Sequence, residues 1–106
     1  MPSVKLLELK DQRAVINARK VMGSVSKKNS VEIIFLLGIR GALRFNEIKK
    51  SLKARDTKGI SRALNAMVGS GILTRTVYPF TPPAVEYRLT KVGESIFRMM
   101  GEMDQF

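Results

Sequence analysis

At 106 residues, 44% of them hydrophobic and 26% charged, the chain has the composition of one globular domain rather than of a disordered segment. It has no cysteine and no histidine, and none of its nine carboxylates pair at a spacing that suggests two-carboxylate chemistry, so the residues point away from an enzyme, a cofactor or a metal site. Nineteen Lys and Arg against nine Asp and Glu leave a net charge of +10, which predicts attraction to phosphate polymers or anionic membranes. The membrane option has little else behind it. The longest apolar run, Ile33 to Ile39, falls far short of the roughly 20 residues a spanning helix needs. Lys5 to Arg19 alternates charged and apolar residues with no small-residue cleavage site, so no secretory signal is expected and the cytoplasm, with the nucleoid, is the expected location.

Ser3 to Lys10 is apolar at Val4, Leu6, Leu7 and Leu9, and reads as an arm or as the first turns of the next helix. From Asp11 onward, Ala14, Val15, Ala18, Val21 and Met22 recur at helical spacing. Asp11 can cap this helix and Gly23 stands where a terminating glycine belongs. Such a stripe packs on its own domain or covers a partner subunit. After the polar connection Gly23 to Asn29, Asn29 stands three residues before Glu32, close to a capping-box pattern. The run from Val31 to Ile39 is apolar almost all round and predicts a central buried helix whose end is bracketed by Gly38 and Gly41. Gly41 to Arg44 can pair as a small strand. Phe45 to Leu52 reads as a short helix with Phe45, Ile48 and Leu52 inward and Asn46, Lys49 and Lys50 outward. Lys53, Ala54 and Arg55 turn into the segment that follows.

That segment, Asp56 to Gly71, holds the strongest signal. Ile60, Ala63, Leu64, Met67 and Val68 fall on one helical face, and Lys58, Ser61, Arg62 and Asn65 on the other. Asp56 can accept hydrogen bonds from the free N–H groups of the first turn, and Gly71 or Gly69 can close the helix in a left-handed conformation. Alone, this pattern fits a solvated surface helix better than a reading head. Its setting favours the second: a buried helix, a short helix, a tight turn and a basic amphipathic helix make a helix-turn-helix. Between Arg44 and Arg75 eight cations face only Glu47 and Asp56.

Ile72 to Tyr78 is β-branched and aromatic, and Ala84 to Leu89 puts Val85, Tyr87 and Leu89 on one face. The Pro79–Pro83 segment between them cannot continue a central strand. This is a hairpin with a stiff tip, the wing of a winged-helix domain. Thr90 can cap a last helix with a stripe of Val92, Ile96, Met99, Met100 and Met103, beside Phe97 and ending at Phe106; together with the Asp11–Met22 helix it is a candidate dimer surface. The predicted fold is mainly α with a small antiparallel β-hairpin wing, a winged helix-turn-helix over residues 1–106.

From Val31 to Gly93 the chain resembles the HxlR-type winged helix-turn-helix transcriptional regulators. Three pieces carry the resemblance: Arg44-Phe45-Asn46-Glu47-Ile48, Gly71-Ile72-Leu73, and a wing with Tyr78-Pro79, Pro82-Pro83, Val85-Glu86-Tyr87, Leu89-Thr90 and Gly93. The resemblance implies a homodimer, held by the N- and C-terminal helices, on an inverted-repeat operator in double-stranded DNA. Two departures stand out. The cysteine that some members use for sensing is absent, and Lys28-Asn29-Ser30 replaces a Gly-Lys-Trp stretch common before the buried helix. No small-molecule effector is readable from the sequence.

The residues expected at the DNA are Thr57, Lys58, Ser61, Arg62 and Asn65 on the recognition helix, Lys49, Lys50 and Lys53 before it, and Arg75 and Arg88 on the wing. Arg62 suits a guanine edge and Asn65 an adenine edge, while Lys49, Lys50, Lys53, Lys58 and Arg75 suit phosphates. Gly59, costly inside a helix by roughly 1 kcal/mol relative to alanine, is expected to admit the DNA backbone. The rival readings are a sequence-tolerant architectural protein, which the charge would also suit, and a winged-helix module for protein partners, which a cationic recognition helix argues against.

Overall fold

The computed structural model describes residues 8–53 and 56–104. In chain order it contains α1 (Leu9–Val25), α2 (Ser30–Arg40), β1 (Leu43–Arg44), α3 (Phe45–Ser51), α4 (Thr57–Gly69), β2 (Leu73–Tyr78), β3 (Ala84–Leu89) and α5 (Lys91–Met103). The expectations for residues 3–7, Arg55 and Phe106 lie outside the described residues. The three strands form one antiparallel sheet in the order β1-β3-β2, with Leu43 opposite Tyr87 and Leu73 opposite Leu89. The predicted small strand at Leu43–Arg44 is therefore present, as the third member of the wing sheet.

The core is built where α2, α3 and α4 meet. Ile33 and Ile34 of α2, Ile48 of α3, and Ile60, Leu64 and Met67 of α4 are fully buried, together with Ile72 before β2. Each such side chain contributes about 1.5–3 kcal/mol relative to exposure. Leu43, Leu73 and Tyr87 bring the sheet onto the same cluster, and Ile96 brings α5.

Four local expectations need correction. α1 does not stop at Gly23 but runs to Val25, capped by Ser26. Ser24 explains the extension: its hydroxyl lies 3.2 Å from the Ala66 carbonyl of α4 and 3.4 Å from the Lys20 carbonyl, which holds the last turn on the domain. The N-terminus of α1 is set by Glu8, whose N–H donates to Asp11, so Asp11 supports the cap rather than being it. Asn29 forms no capping box. It takes a left-handed φ of 73° and its side chain makes no cap bond. Nor is α2 buried all round, since Val31, Phe35 and Ile39 are 46%, 42% and 67% exposed. The stripe of α5 likewise divides, with Ile96 and Met100 turned to the core and Val92, Met99 and Met103 to the outside.

Two close approaches need glycine. At Gly38 the ring of Phe97 lies where a Cβ would stand, so α5 can settle against α2; the same ring meets Phe35 edge-on at 5.3 Å. At Gly93 a Cβ would collide with the Ile72 carbonyl and with Leu89. That second approach closes a knot between three elements. Gly71, at φ +82°, ends α4 in a full Schellman turn: its N–H donates to the Val68 carbonyl at 3.2 Å, and the Ile72 N–H to Met67 at 2.9 Å. Thr90 then donates its N–H to the Ile72 carbonyl at 3.0 Å and its hydroxyl to the Gly71 carbonyl. The Thr90 Oγ1 in turn accepts the Gly93 N–H at 3.2 Å, capping α5 as its sequence predicts.

Two glycine substitutions should therefore have opposite signs. Gly93→Ala should lower stability by about 1–3 kcal/mol through the clash with backbone. Gly23→Ala, helical and with open space around its Cβ position, should raise it by about 1 kcal/mol. Urea denaturation of both variants reads the two signs directly, and an unchanged midpoint for Gly93→Ala would refute the close packing.

Candidate nucleic-acid interface

The sequence of α4 sorts its side chains by period. Ile60, Ala63, Leu64 and Met67 are buried, which turns Lys58, Arg62 and Asn65 fully outward, with Ser61 at the margin and Thr57 exposed at the first position. Asp56 caps the helix as expected: the Gly59 N–H donates to its Oδ1 at 2.8 Å. Its other oxygen lies 3.7 Å from Lys28 Nζ. The backbone hydrogen bond from Gly59 holds the Asp56 carboxyl below its ordinary value, helped by the positive charges of Lys28 and Arg62.

Gly59 has a different purpose from the one its position suggests. A Cβ there would collide with the Asp56 carboxylate and lie 3.2 Å from the Asn29 amide nitrogen. The close approach is to the helix cap and to the loop before α2, inside the protein. The glycine lets the N-termini of α2 and α4 converge.

Ahead of α4, Asn46, Lys49, Lys50 and Lys53 line a shallow depression of about 280 Å³. Lys49 and Lys50 sit in the last turn of α3, where cations suit the helix C-terminus. Lys53 follows in a left-handed conformation, φ +50°, which favours glycine. Glu47 does not neutralise this group, because it accepts the Arg44 N–H at 2.9 Å at the other end of α3. Among the described residues the ion pairs are Lys28–Asp56 and Arg88–Glu86. Lys49, Lys50, Lys53, Lys58, Arg62 and Arg75 thus have no carboxylate within ion-pair distance among those residues. Asn46, which the sequence pattern turns outward with Lys49 and Lys50, is the member not among the residues expected at the DNA. It lies three and four residues before Lys49 and Lys50, which puts all three on one helical face.

The wing divides its two arginines. Arg75 pairs opposite Tyr87 and Arg88 opposite Thr74, so they leave opposite faces of the hairpin. Arg75 is exposed. The Arg88 Nε donates to Glu86 Oε1 at 3.1 Å, and Arg88 also lines a cavity of about 350 Å³ with Leu37, Phe97 and Arg98. Arg75, like the cations of α3 and α4, has no ion-pair partner among the described residues. Arg88 belongs to the junction of the sheet with α2 and α5.

A helix-turn-helix followed at once by a β-hairpin, whose sheet is completed by the short strand β1 ahead of α3, defines a winged helix-turn-helix. The chain belongs to the HxlR-like helix-turn-helix family, whose model matches residues 24–106. It is 38% identical over 60 residues to an HTH-type transcriptional regulator of Methanothermobacter thermautotrophicus, a match covering 57% of this chain and 46% of the relative. With the HTH-type transcriptional regulator YtfH of Escherichia coli K12 it shares 33% over 79 residues, 74% of this chain and 62% of the relative. The chain thus spans about half to three-fifths of these two relatives. A crystal structure described as a MarR-family transcriptional regulator from Porphyromonas gingivalis W83 superposes with a TM-score of 0.71 at 30% identity, over 84% of this chain and 86% of that one. The chain thus carries the helix-turn-helix region of proteins described as transcriptional regulators. No helix of the described residues is long and apolar enough to cross a membrane.

The Asp56 cap gives a pH dependence. A carboxyl held below its ordinary 3.8 adds stability that is present above that value and is lost as pH falls through the folded one. Asn can cap without ionising. The melting temperature of wild type should therefore exceed that of Asp56→Asn at pH 6, and the gap should close as the pH is taken below 3. A gap independent of pH would show that the carboxylate charge plays no part in the cap.

Proposed function

We propose that this regulator acts as a homodimer on an inverted-repeat operator in double-stranded DNA, in the cytoplasm, with α4 in the major groove of each half-site. The observation that carries the proposal is the outward face of α4, where Lys58, Arg62 and Asn65 are exposed and no acid follows the cap. Arg62 and Asn65 have the fork and amide geometries that match guanine and adenine edges. Thr57 and Ser61 offer short hydrogen-bonding groups at the helix N-terminus and margin. The cations of α3, with Lys58 and Arg75, hold phosphates and set the register without reading sequence. Arg88, on the opposite wing face, is the least suited of the predicted contacts to this surface.

Support for the dimer comes from what one protomer leaves uncovered. From Glu8 to Lys20 every residue is exposed except half-buried Asp11, so most of α1 stands off the domain as an arm. Its Leu9, Ile16 and Met22 are 65%, 66% and 69% exposed, and Met103 of α5 is 64% exposed. A second protomer is the partner that buries such faces symmetrically. Two half-sites would then lie about 34 Å apart.

Selection of bound fragments from a random DNA pool, followed by footprinting, tests the proposal. Protection of a discrete inverted repeat supports it, whereas uniform coverage would favour a sequence-tolerant architectural protein, which the +10 charge also suits. With around six phosphate contacts, the log–log salt slope should be near −5. Arg62→Ala should relax base preference at one position, at about 1–3 kcal/mol, while Lys50→Ala should weaken all sequences alike. Equal losses on selected and random DNA for both variants would refute this division. In sedimentation, the double change Ile16→Asp and Met103→Asp should turn a dimer into monomers with the fold intact. A dimer that survives both charges would place the interface elsewhere.

A further inference from the structure

From Thr76 to Tyr87 the wing has no Lys or Arg, in a chain that carries 19 of them. Its one charge, Glu86, is occupied internally: Oε1 accepts from the Tyr78 hydroxyl and from Arg88 Nε, both at 3.1 Å. Apart from the uncharged hydroxyls of Thr76 and Thr81, the side chains presented outward are apolar. Phe80 is 57% and Val77 53% exposed, with Pro79, Pro82 and Pro83 also exposed around them. A loop built to hold phosphates has the opposite composition.

The tip is also stiff. The Phe80 ring stacks on Tyr78 at 5.6 Å with an interplanar angle of 9°. The Phe80 N–H donates to the Tyr78 carbonyl at 2.8 Å, and the Tyr78 hydroxyl is held by Glu86. Three prolines fix φ on either side. Phe80 is therefore held away from the core on a braced support.

We infer that this tip is an apolar wedge for the minor groove, with Phe80 set against the sugars and base edges at a deformable step next to the sequence read by α4. The inference rests on the DNA-binding reading above. Continuity argues for DNA as the occupant, because β2 begins directly after the turn that ends α4. Reach argues for it too. Strands of six residues extend about 20 Å, close to the summed widths of a major groove (about 12 Å) and a minor groove (about 6 Å). A helix in one groove thus brings the tip over the next. Arg75, near the base of β2, supplies a phosphate contact where the arm crosses the backbone. Apolar side chains that enter a minor groove part the base step and bend the duplex toward the major groove. The wing would then select flexible steps such as TA or CA without hydrogen-bonding to them.

The test uses the full chain and a duplex recovered from the random pool, with 2-aminopurine placed at successive steps outside each half-site. Wild type should raise the fluorescence at one step per half-site and bend the duplex in a circular-permutation gel. Phe80→Ala should lose both signals and bind about tenfold more weakly, the scale of one aromatic–base contact. Its melting temperature should not change, because Phe80 is exposed and lies outside the core cluster, and Phe80→Trp should keep both signals. If Phe80→Ala unstacks and bends DNA as wild type does, the tip faces something other than DNA and the wedge is wrong. If wild type recovers no duplex from the pool, the DNA-binding reading itself falls.

Discussion

The fold depends on one crossing of the chain, where Thr90 and Gly93 meet the carbonyls of Gly71 and Ile72. Four constraints act within these residues. The left-handed Gly71 ends α4, the Ile72 carbonyl accepts from β3's exit, the Thr90 hydroxyl caps α5, and Gly93 leaves room for Ile72 beneath it. The angle between α4 and the wing is fixed there, and so is the direction in which α5 leaves. A shift of this crossing would move the wing against the recognition helix while every strand pair stayed intact.

A second convergence sits at the opposite end of α4. Asp56 folds back on Gly59, and the Asn29 amide comes down beside them from the loop before α2. Asp56, the acid beside the outward face among the described residues, is thereby engaged in capping, with Lys28 next to it. The cations of α3 and α4 stay unneutralised because Glu47 is similarly engaged at the start of α3. Local backbone capping and a positive interface are thus one arrangement: Asp56 and Glu47 each hold a helix N-terminus, and neither forms an ion pair with a cation of α3 or α4 among the described residues.

What the sequence discloses follows the strength of the local pattern. α4 was legible because its two faces are chemically distinct and both ends carry capping residues, Asp56 and Gly71. The wing was legible because its prolines separate two β-rich runs. Periodicity located α1, α2 and α5 but could not say which apolar residues face their own core and which remain outside: Phe35 and Ile39 read as interior and stand exposed, and Met22 and Met103, on stripes that fit either a core or a dimer surface, stand exposed too. Gly23 looked like a helix end because glycine often is one; the Ser24 bond to α4, 42 positions away, overrides that preference. The separation of Arg75 from Arg88 required the strand register, since only pairing decides which residues share a face. Gly59 was ambiguous for the same reason: a missing side chain shows that something comes close, and only the tertiary structure shows that it is the protein itself.

Lys53 carries a consequence for anyone who improves this protein by selecting for heat resistance. Its left-handed backbone, φ +50°, is one that glycine adopts without penalty and lysine does not. A screen that rewards folding alone would favour glycine there and would remove a positive charge from the depression beside Asn46, Lys49 and Lys50. Under the proposed DNA-binding function, thermal robustness and grip on a polyanion therefore pull this position in different directions.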